Sequence, residues 1–254
     1  MWIHNLNPVL LDLGPLEIRY YGLVYVLGFL FALWWLTRYR DKIGFTKDQV
    51  YDLIFYLIVG GVVGARLFHI IFWEPSYYLA NPLKILFFWE GGMAFHGGIV
   101  GGLIAAWFYK KKKDFNLWKV ADLLSIPMAL VFALGRIANF INGELPGTIT
   151  NLSWCVDFGD GQCRHPVQIY ATIKRLLIAG VLVLLSRKKH KDGFLFFIMI
   201  TLLGIGRFFI DFLREDILYL GLSMGQWTSL VMFLVGLGIL LKWYRKDIKK
   251  IIKV

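Results

Sequence analysis

The chain has 254 residues, 58% of them hydrophobic and 17% aromatic, and its mean hydropathy is +0.61. Soluble domains run at about 45–50% apolar, so this composition excludes an ordinary water-soluble fold and indicates one integral membrane domain over residues 1–254. The net charge of +11 does not indicate nucleic acid, because the basic residues are gathered where apolar runs end.

Residues 1–18 contain LNPVLLDLGPLEI, short and proline-broken. They carry no Lys or Arg, so they lack the basic n-region of a cleaved signal peptide. Seven apolar runs follow, at roughly 19–37, 50–72, 93–109, 118–141, 167–186, 193–212 and 223–243. Each approaches the ~20 residues that a helix needs to cross a bilayer. Strict period-two alternation is missing, which argues against a barrel. Nineteen of the 28 Lys and Arg fall in four clusters, at 38–47, 110–119, 187–191 and 242–253, each after an apolar run. The loops between carry little positive charge. This is the positive-inside pattern. It predicts an all-α polytopic protein with seven transmembrane helices, the N-terminus outside and the C-terminus cytoplasmic, and the clusters in reach of anionic lipid.

Between the second and third runs, residues 73–92 are rich in Trp, Tyr and Phe and too interrupted to span. They fit an interfacial segment at head-group depth. The longest outside loop, about 143–166, holds Cys155 and Cys163. A disulfide and a pair of free thiols are both open readings there. Metal binding by the two cysteines with His165 is weaker, since the spacing matches no common site.

Several runs carry polar groups where the flanking sequence calls for lipid. They are Arg19, Tyr20 and Tyr21 in the first, Arg66 and His69 in the second, and His96 in GGMAFHGGIVGG. The fourth ends with Arg136, Asn139, Asn142 and Glu144, and the sixth with Arg207, Asp211 and Arg214. A charged side chain at the centre of a membrane helix costs about 2.5–3.5 kcal/mol on insertion scales. Arg136, Asn139 and Asn142 are spaced three apart and share a helix face; Arg207 and Asp211 are one turn apart and can pair. Arg19 and Arg214 are equally explained by snorkelling to head groups, and Tyr20 and Tyr21 by an aromatic belt. Glycines beside His96 and Arg136 allow close helix approach, or leave room for a substrate. The glycine run at 97–102 is not a nucleotide loop, for it lies in a membrane span without a preceding strand.

Together these groups predict an anion site toward the outer side of the membrane. Arginine binds phosphate through charge-assisted, often bidentate hydrogen bonds, and the phosphate available at that depth is a phospholipid head group. A nearby histidine or glutamate can accept a proton from a nucleophile. From the residues alone two readings stay open: transfer chemistry on a phospholipid, or a non-catalytic transporter or scaffold for anionic lipid. An intramembrane protease lacks its Ser/His or paired-Asp arrangement here. Internal repeats, common in transporters, are missing as well.

The segment Gly135–Gly147, GRIANFINGELPG, resembles the signature of the bacterial prolipoprotein diacylglyceryl transferases, G-R-x-[GA]-N-F-x-N-x-E-x-x-G, at every fixed position. The resemblance continues in IRYYGLVYVLGF at 18–29, GARLFHIIF at 64–72, WEGGMAFHGGIVGG at 89–102, HPVQIY at 165–170, GIGRFFIDFLRED at 204–216 and SMGQW at 223–227. It implies an enzyme of the prokaryotic cytoplasmic membrane. Such an enzyme moves the diacylglyceryl group of phosphatidylglycerol onto the lipobox cysteine thiol of a prolipoprotein signal peptide. A thioether forms and glycerol 1-phosphate leaves, with no metal or other cofactor. By position, Arg136 and Arg207 would hold the phosphate and His96 would take the thiol proton, with Tyr21 close by. Asn139, Asn142 and Glu144 would shape the head-group pocket, assisted by Arg66, Asp211 and Arg214. The chain departs from the family pattern in three places. Asp211 stands where glutamate is usual, Ala171 follows the HPVQIY run where glutamate is frequent, and Lys174 and Arg175 add charge within the fifth run.

Overall fold

A computed structural model describes residues 2–14, 17–88 and 91–252. Trp89 and Glu90, part of the interfacial segment and of the histidine motif, lie outside the described residues, as do Pro15 and Leu16. The chain packs as two compact units, one of residues 1–31 with 118–254 and one of residues 32–117.

Helices dominate both units, and their positions follow the apolar runs. They are α1 (Tyr20–Tyr39), α2 (Lys47–Phe72), α4 (Phe95–Lys112), α5 (Leu117–Ile141), α6 (Val167–Ser186), α7 (Phe194–Ile210) and α8 (Met224–Trp243). Short helices α3 (Pro75–Ala80) and α9 (Arg245–Ile252) complete the set. Among the described residues, six helical segments are long and apolar enough to cross a membrane. The expected third span, 93–109, forms α4 but is not among the six. Its 18 residues end in Lys110–Lys112 and include four glycines, so no full-length window stays apolar and nearly uncharged.

The all-α expectation needs one amendment. Three two-stranded ladders lie in the connecting segments: β1 (Trp2–Ile3) with β4 (Val156–Asp157), β2 (Val9–Asp12) with β3 (Glu17–Arg19), and β5 (Leu218–Tyr219) with β6 (Leu222–Ser223). These segments contain turn-forming Pro and Gly, among them Pro8, Gly14, Gly159, Gly161 and Gly221. Their backbone groups pair with each other.

In the larger unit the helices are inside-out relative to a soluble protein. Gln168, Thr172 and Arg175 on α6, Thr201 on α7 and Gln226 and Ser229 on α8 are buried, whereas Leu177, Leu184, Val231 and Leu234 are more than half exposed. Helices that bury polar groups and expose leucines are stable only where the surrounding medium is itself apolar. The protein is therefore a multi-pass membrane protein. Helix starts are set by local chemistry. Ser223 and Gln226 form a capping box that begins α8. α7 has no cap of its own; Asp122 of α5 reaches across to accept the N–H groups of Gly193 (2.8 Å) and Phe196 (2.9 Å).

The smaller unit is built on a crossing of α2 and α4. Gly60 and Gly64 face Gly97 and Gly101, so the two backbones touch. A Cβ at position 101 would stand 2.8 Å from the Gly64 Cα, and one at 60 would stand 2.7 Å from the Gly101 carbonyl oxygen. Two small-xxx-small pairs produce this approach. One of the two roles expected for the glycines after His96 is therefore realised: they bring helices together. From α2, the Arg66 side chain gathers backbone carbonyls of residues 84–87 and 91–92. It donates to the carbonyls of Lys84 (2.5 Å), Ile85 (3.0 Å), Phe87 (3.3 Å), Gly91 (2.6 Å) and Gly92 (3.1 Å), and lies over the Tyr78 ring. Backbone carbonyls outside an α-helix or sheet ladder need donors when lipid is near, and one guanidinium with five N–H groups supplies them here.

Two outcomes test this packing. Gly101→Ala is expected to destabilise the protein by about 1–3 kcal/mol, because the added methyl meets backbone that cannot rotate away. Its neighbour Gly102 has open space at its Cβ position, so Gly102→Ala gains up to about 1 kcal/mol of helix propensity. Thermal unfolding in detergent reads both; equal shifts would rule out the crossing.

Candidate functional site

The site in the larger unit is assembled from three helix ends and one loop. α5 brings Arg136 and Asn139, α6 brings Gln168, Lys174 and Arg175, and α7 with the 3-10 turn after it brings Arg207, Asp211 and Arg214. All but Asn139 line one pocket, together with the apolar Leu145, Val167, Ala171 and Ile210. Five cationic side chains thus face a single carboxylate.

Asp211, 5% exposed, is that carboxylate. Its Oδ2 accepts Arg207 Nε at 3.2 Å, the one-turn pair expected from spacing, and its Oδ1 lies 3.9 Å from Arg214 Nη1. Arg214 also donates to Asp216 at 2.9 Å. The start of α8 closes on this group at Gly225, where a Cβ would be 2.5 Å from Asp211 Oδ2 and 3.0 Å from Arg207 Nη2. Arg207, Arg214, Asp211 and Tyr21 all lie within electrostatic reach of Arg136. Tyr21 accepts a 3.4 Å hydrogen bond from Tyr25. Arg136 has no hydrogen-bonded or ion-paired partner among the described residues. Arg175 is 9% exposed; its Nη1 donates to the Ala171 carbonyl at 2.9 Å, and its Nε is buried without a partner. A buried donor of this kind, beside uncompensated positive charge, marks a place built for an anion.

The signature segment divides its labour. Arg136 faces the pocket. Asn139 and Asn142 turn instead to Glu144, donating to Oε2 (2.8 Å) and Oε1 (2.9 Å). The Glu144 carbonyl accepts Gln168 Nε2 at 2.5 Å. The motif is thus closed on itself and tied to α6. Its last residue, Gly147, has its N–H on the His165 carbonyl (3.0 Å), and Thr148 donates to Leu213 (2.8 Å). A Cβ at 147 would lie 2.6 Å from the His165 oxygen, so only glycine allows the loop to reach both chain ends that frame the pocket. On the other flank His4 Nε2 meets the Phe140 carbonyl at 2.7 Å, between the rings of Trp2, Phe140 and Phe158.

The outer loop carries a disulfide between Cys155 and Cys163, with Cα atoms 5.3 Å apart. This settles the two open readings of the thiols, and it removes both sulfurs as ligands beside His165, which instead meets the Tyr170 hydroxyl at 3.3 Å. Arg164 bridges Asp160 (2.5 Å), Glu215 (3.0 Å) and the Gly147 carbonyl (3.1 Å). Its hydrogen bond holds the Asp160 carboxyl below the ordinary carboxylate range. Arg19 pairs with Glu17 at 2.7 Å on an exposed ladder.

The other expected residues belong to the smaller unit. His96 is the second residue of α4 and is exposed, its ring 6.5 Å from that of Phe68. His69 stands 3.7 Å from Glu74. Arg66 spends its donors on carbonyls, as described above. Sequence reasoning noticed Lys174 and Arg175 only as an anomaly and passed over Gln168. Gln168, Thr172 and Arg175 recur at helical spacing with Lys174 beside them, and this polar stripe on an otherwise apolar helix was the signal that could have placed it on the pocket side.

Comparison with known proteins agrees with this geometry. The family model described as prolipoprotein diacylglyceryl transferase matches residues 8–242. The phosphatidylglycerol--prolipoprotein diacylglyceryl transferase of Geobacter sulfurreducens is 40% identical over 247 residues, covering 93% of this chain and 95% of that protein. Proteins of the same name from Bordetella parapertussis and Cupriavidus necator are each 40% identical, over 93% and 97% of this chain and 95% and 96% of their own lengths. A match of this extent, on a chain whose signature arginine opens into a cationic pocket between membrane helices, shows that the protein belongs to the prolipoprotein diacylglyceryl transferase family.

Proposed function

We propose that this protein transfers the diacylglyceryl group of phosphatidylglycerol to the lipobox cysteine thiol of prolipoprotein signal peptides, in the cytoplasmic membrane of a prokaryote. The observation that carries the reading is the pocket: Arg136, Arg207 and Arg214 converge from two helices with one buried carboxylate between them. A phosphodiester supplies the missing negative charge. In the reaction the thiolate sulfur attacks the glyceryl carbon. The C–S bond forms, the C–O bond breaks, and its electron pair leaves on the phosphate oxygen of glycerol 1-phosphate.

In this proposal Arg136 and Arg207 grip the phosphate and stabilise the leaving oxygen, an effect that acts most strongly in a site shielded from water. His96 accepts the thiol proton, and Tyr21 stands near Arg136 at the head group. Both carboxylate oxygens of Glu144 already accept amide donors, so Glu144 acts by holding Asn139 and Asn142 in the turn that presents Arg136. Asp211 orients Arg207 and Arg214. Arg66 acts through the segment it binds. The catalytic unit is the whole chain, one domain with seven crossings, the N-terminus outside and the C-terminus cytoplasmic. The four basic clusters support that orientation, and α4 serves as the seventh crossing, its lysines at the cytoplasmic end. Its partners are the donor lipid, the signal peptide and bulk membrane lipid, with no nucleic acid. No cofactor is needed for the chemistry, since guanidinium groups supply the positive charge.

Membranes containing the protein are expected to move labelled diacylglyceryl from phosphatidylglycerol to a lipobox peptide and to release glycerol phosphate. A peptide with serine in place of the cysteine should stay unlabelled; labelling of that peptide refutes thiol alkylation. Lipid binding without glycerol phosphate release would favour the transporter or scaffold reading instead. At equal protein level, Arg136→Ala is expected to lower transfer by about 10²–10³-fold, the usual loss for one donor aimed at developing negative charge. His96→Gln should lower it by about 10²–10⁴-fold, as for removal of a general base. Glu144→Gln keeps a carbonyl acceptor for one asparagine and should lose less than about tenfold, close to one hydrogen bond. Should Glu144→Gln be the dead variant and His96→Gln the active one, the assignment of the base is reversed.

A further inference from the structure

Arg136 and Arg207 account for a phosphodiester, which carries one negative charge. The pocket holds more positive charge than that. Lys174 and Arg175 also line it, and Asp211 is already bracketed by Arg207 at 3.2 Å and Arg214 at 3.9 Å. Lys174 has no hydrogen-bonded or ion-paired partner among the described residues. Beside it the Nε of Arg175, a residue 9% exposed, is buried without an acceptor. Two cations on one turn of a membrane helix with no carboxylate of their own are costly unless a ligand faces them.

The position of Lys174 is built rather than incidental. Its aliphatic stem lies flat across Gly206 of α7, the residue before Arg207. A Cβ at 206 would come within 3.2 Å of both Cγ and Cε of the lysine. The glycine is what lets the stem pass between α6 and α7 and carry the ammonium to the pocket that Arg207 lines.

We propose that Lys174 is a further phosphate-contacting residue, whose ammonium meets the second negative charge that appears on the phosphate as the glyceryl C–O bond breaks. This rests on the transferase reading above. The substrate phosphodiester is a monoanion. Once the carbon–oxygen electron pair moves to the phosphate oxygen, the product is a phosphomonoester, whose second ionisation lies near pH 6, so it leaves as a dianion near neutral pH. The thiol proton goes to the base, and no proton is transferred to or from Lys174 in the step. An interaction that grows with this charge strengthens toward the transition state, so it raises kcat more than it tightens substrate binding.

Purified full-length protein in phosphatidylglycerol-containing vesicles tests the assignment. Lys174→Met, close in volume to the lysine, is expected to lower kcat about tenfold with KM for phosphatidylglycerol changed less than about twofold. Lys174→Arg should recover most of the loss. Gly206→Ala, which pushes the lysine stem aside without removing any charge, should lower kcat several-fold in the wild type and have no effect in the Lys174→Met background. An unchanged kcat in Lys174→Met, a fall expressed only in KM, or an equal Gly206→Ala effect in both backgrounds overturns the proposal. If the wild type itself releases no glycerol phosphate, the transferase reading fails, and thermal unfolding with inorganic phosphate judges the subsite separately. Stabilisation of the wild type but not of Lys174→Met supports it, and equal shifts overturn it.

Discussion

An uncompensated guanidinium in a membrane is the constraint on which this structure turns. Arg136, Arg175 and Arg207 sit on helices that expose large apolar side chains such as Leu134, Leu177 and Phe209, and the pocket they share offers one carboxylate, Asp211. Water cannot reach such groups freely, and a low-dielectric surrounding strengthens every charge interaction there. The helices therefore converge on a space that is electrostatically incomplete until an anion fills it. Stability and ligand binding are coupled at this point, since whatever neutralises the pocket also relieves the desolvation of the helix ends that form it. Asp211 is the built-in minimum. It orients two arginines and leaves the others in excess, and the bare backbone of Gly225 lets α8 close against the pair.

Around that pocket the signature segment acts as a scaffold more than as a set of ligands. Of its fixed residues, Arg136 faces the pocket, while Asn139, Asn142 and Glu144 form a closed hydrogen-bonded turn just past the end of α5. In the same turn the N–H groups of Asn142, Gly143 and Glu144 donate to the Ala138, Phe140 and Asn139 carbonyls, acceptors that the helix terminus would otherwise leave open. It also fixes where the chain leaves the helix, so that Gly147 can contact His165 and Thr148 can reach Leu213. The disulfide, the Arg164 bridges to Asp160 and Glu215 and the packing of His4 under Phe140 brace the same loop from outside. A pocket that must hold a single phosphate to within a fraction of an ångström needs such support, because small displacements cost catalysis steeply.

The smaller unit solves a different problem with similar means. Between α3 and α4, Arg66 collects the carbonyls of Lys84, Ile85, Phe87, Gly91 and Gly92 on one guanidinium. An arginine that reads from sequence as a second anion ligand has thus become a hydrogen-bonding hub. The glycine crossing of α2 and α4 then sets the start of the helix that carries His96, whose preceding Ala94 donates to the Ala65 carbonyl at 3.0 Å.

Much of this was legible in the residues, because the signals were local. The apolar runs placed seven helices to within a few residues, and i,i+4 spacing placed the Arg207–Asp211 pair. The excess of Lys and Arg at run ends and the thirteen-residue signature named the class. What the order of residues could not decide was facing and partnership. Whether Arg66 meets carbonyls or an anion, whether Asn139 points to the pocket or to Glu144, and whether Lys174 is lipid-facing depends on which neighbouring helix lies opposite. So does the division of the Gly97–Gly102 run into contacts and open positions. Hydrogen bonds and ion pairs between elements distant in sequence are formed only when packing brings donor and acceptor within about 3 Å, and no pattern along one helix contains that distance.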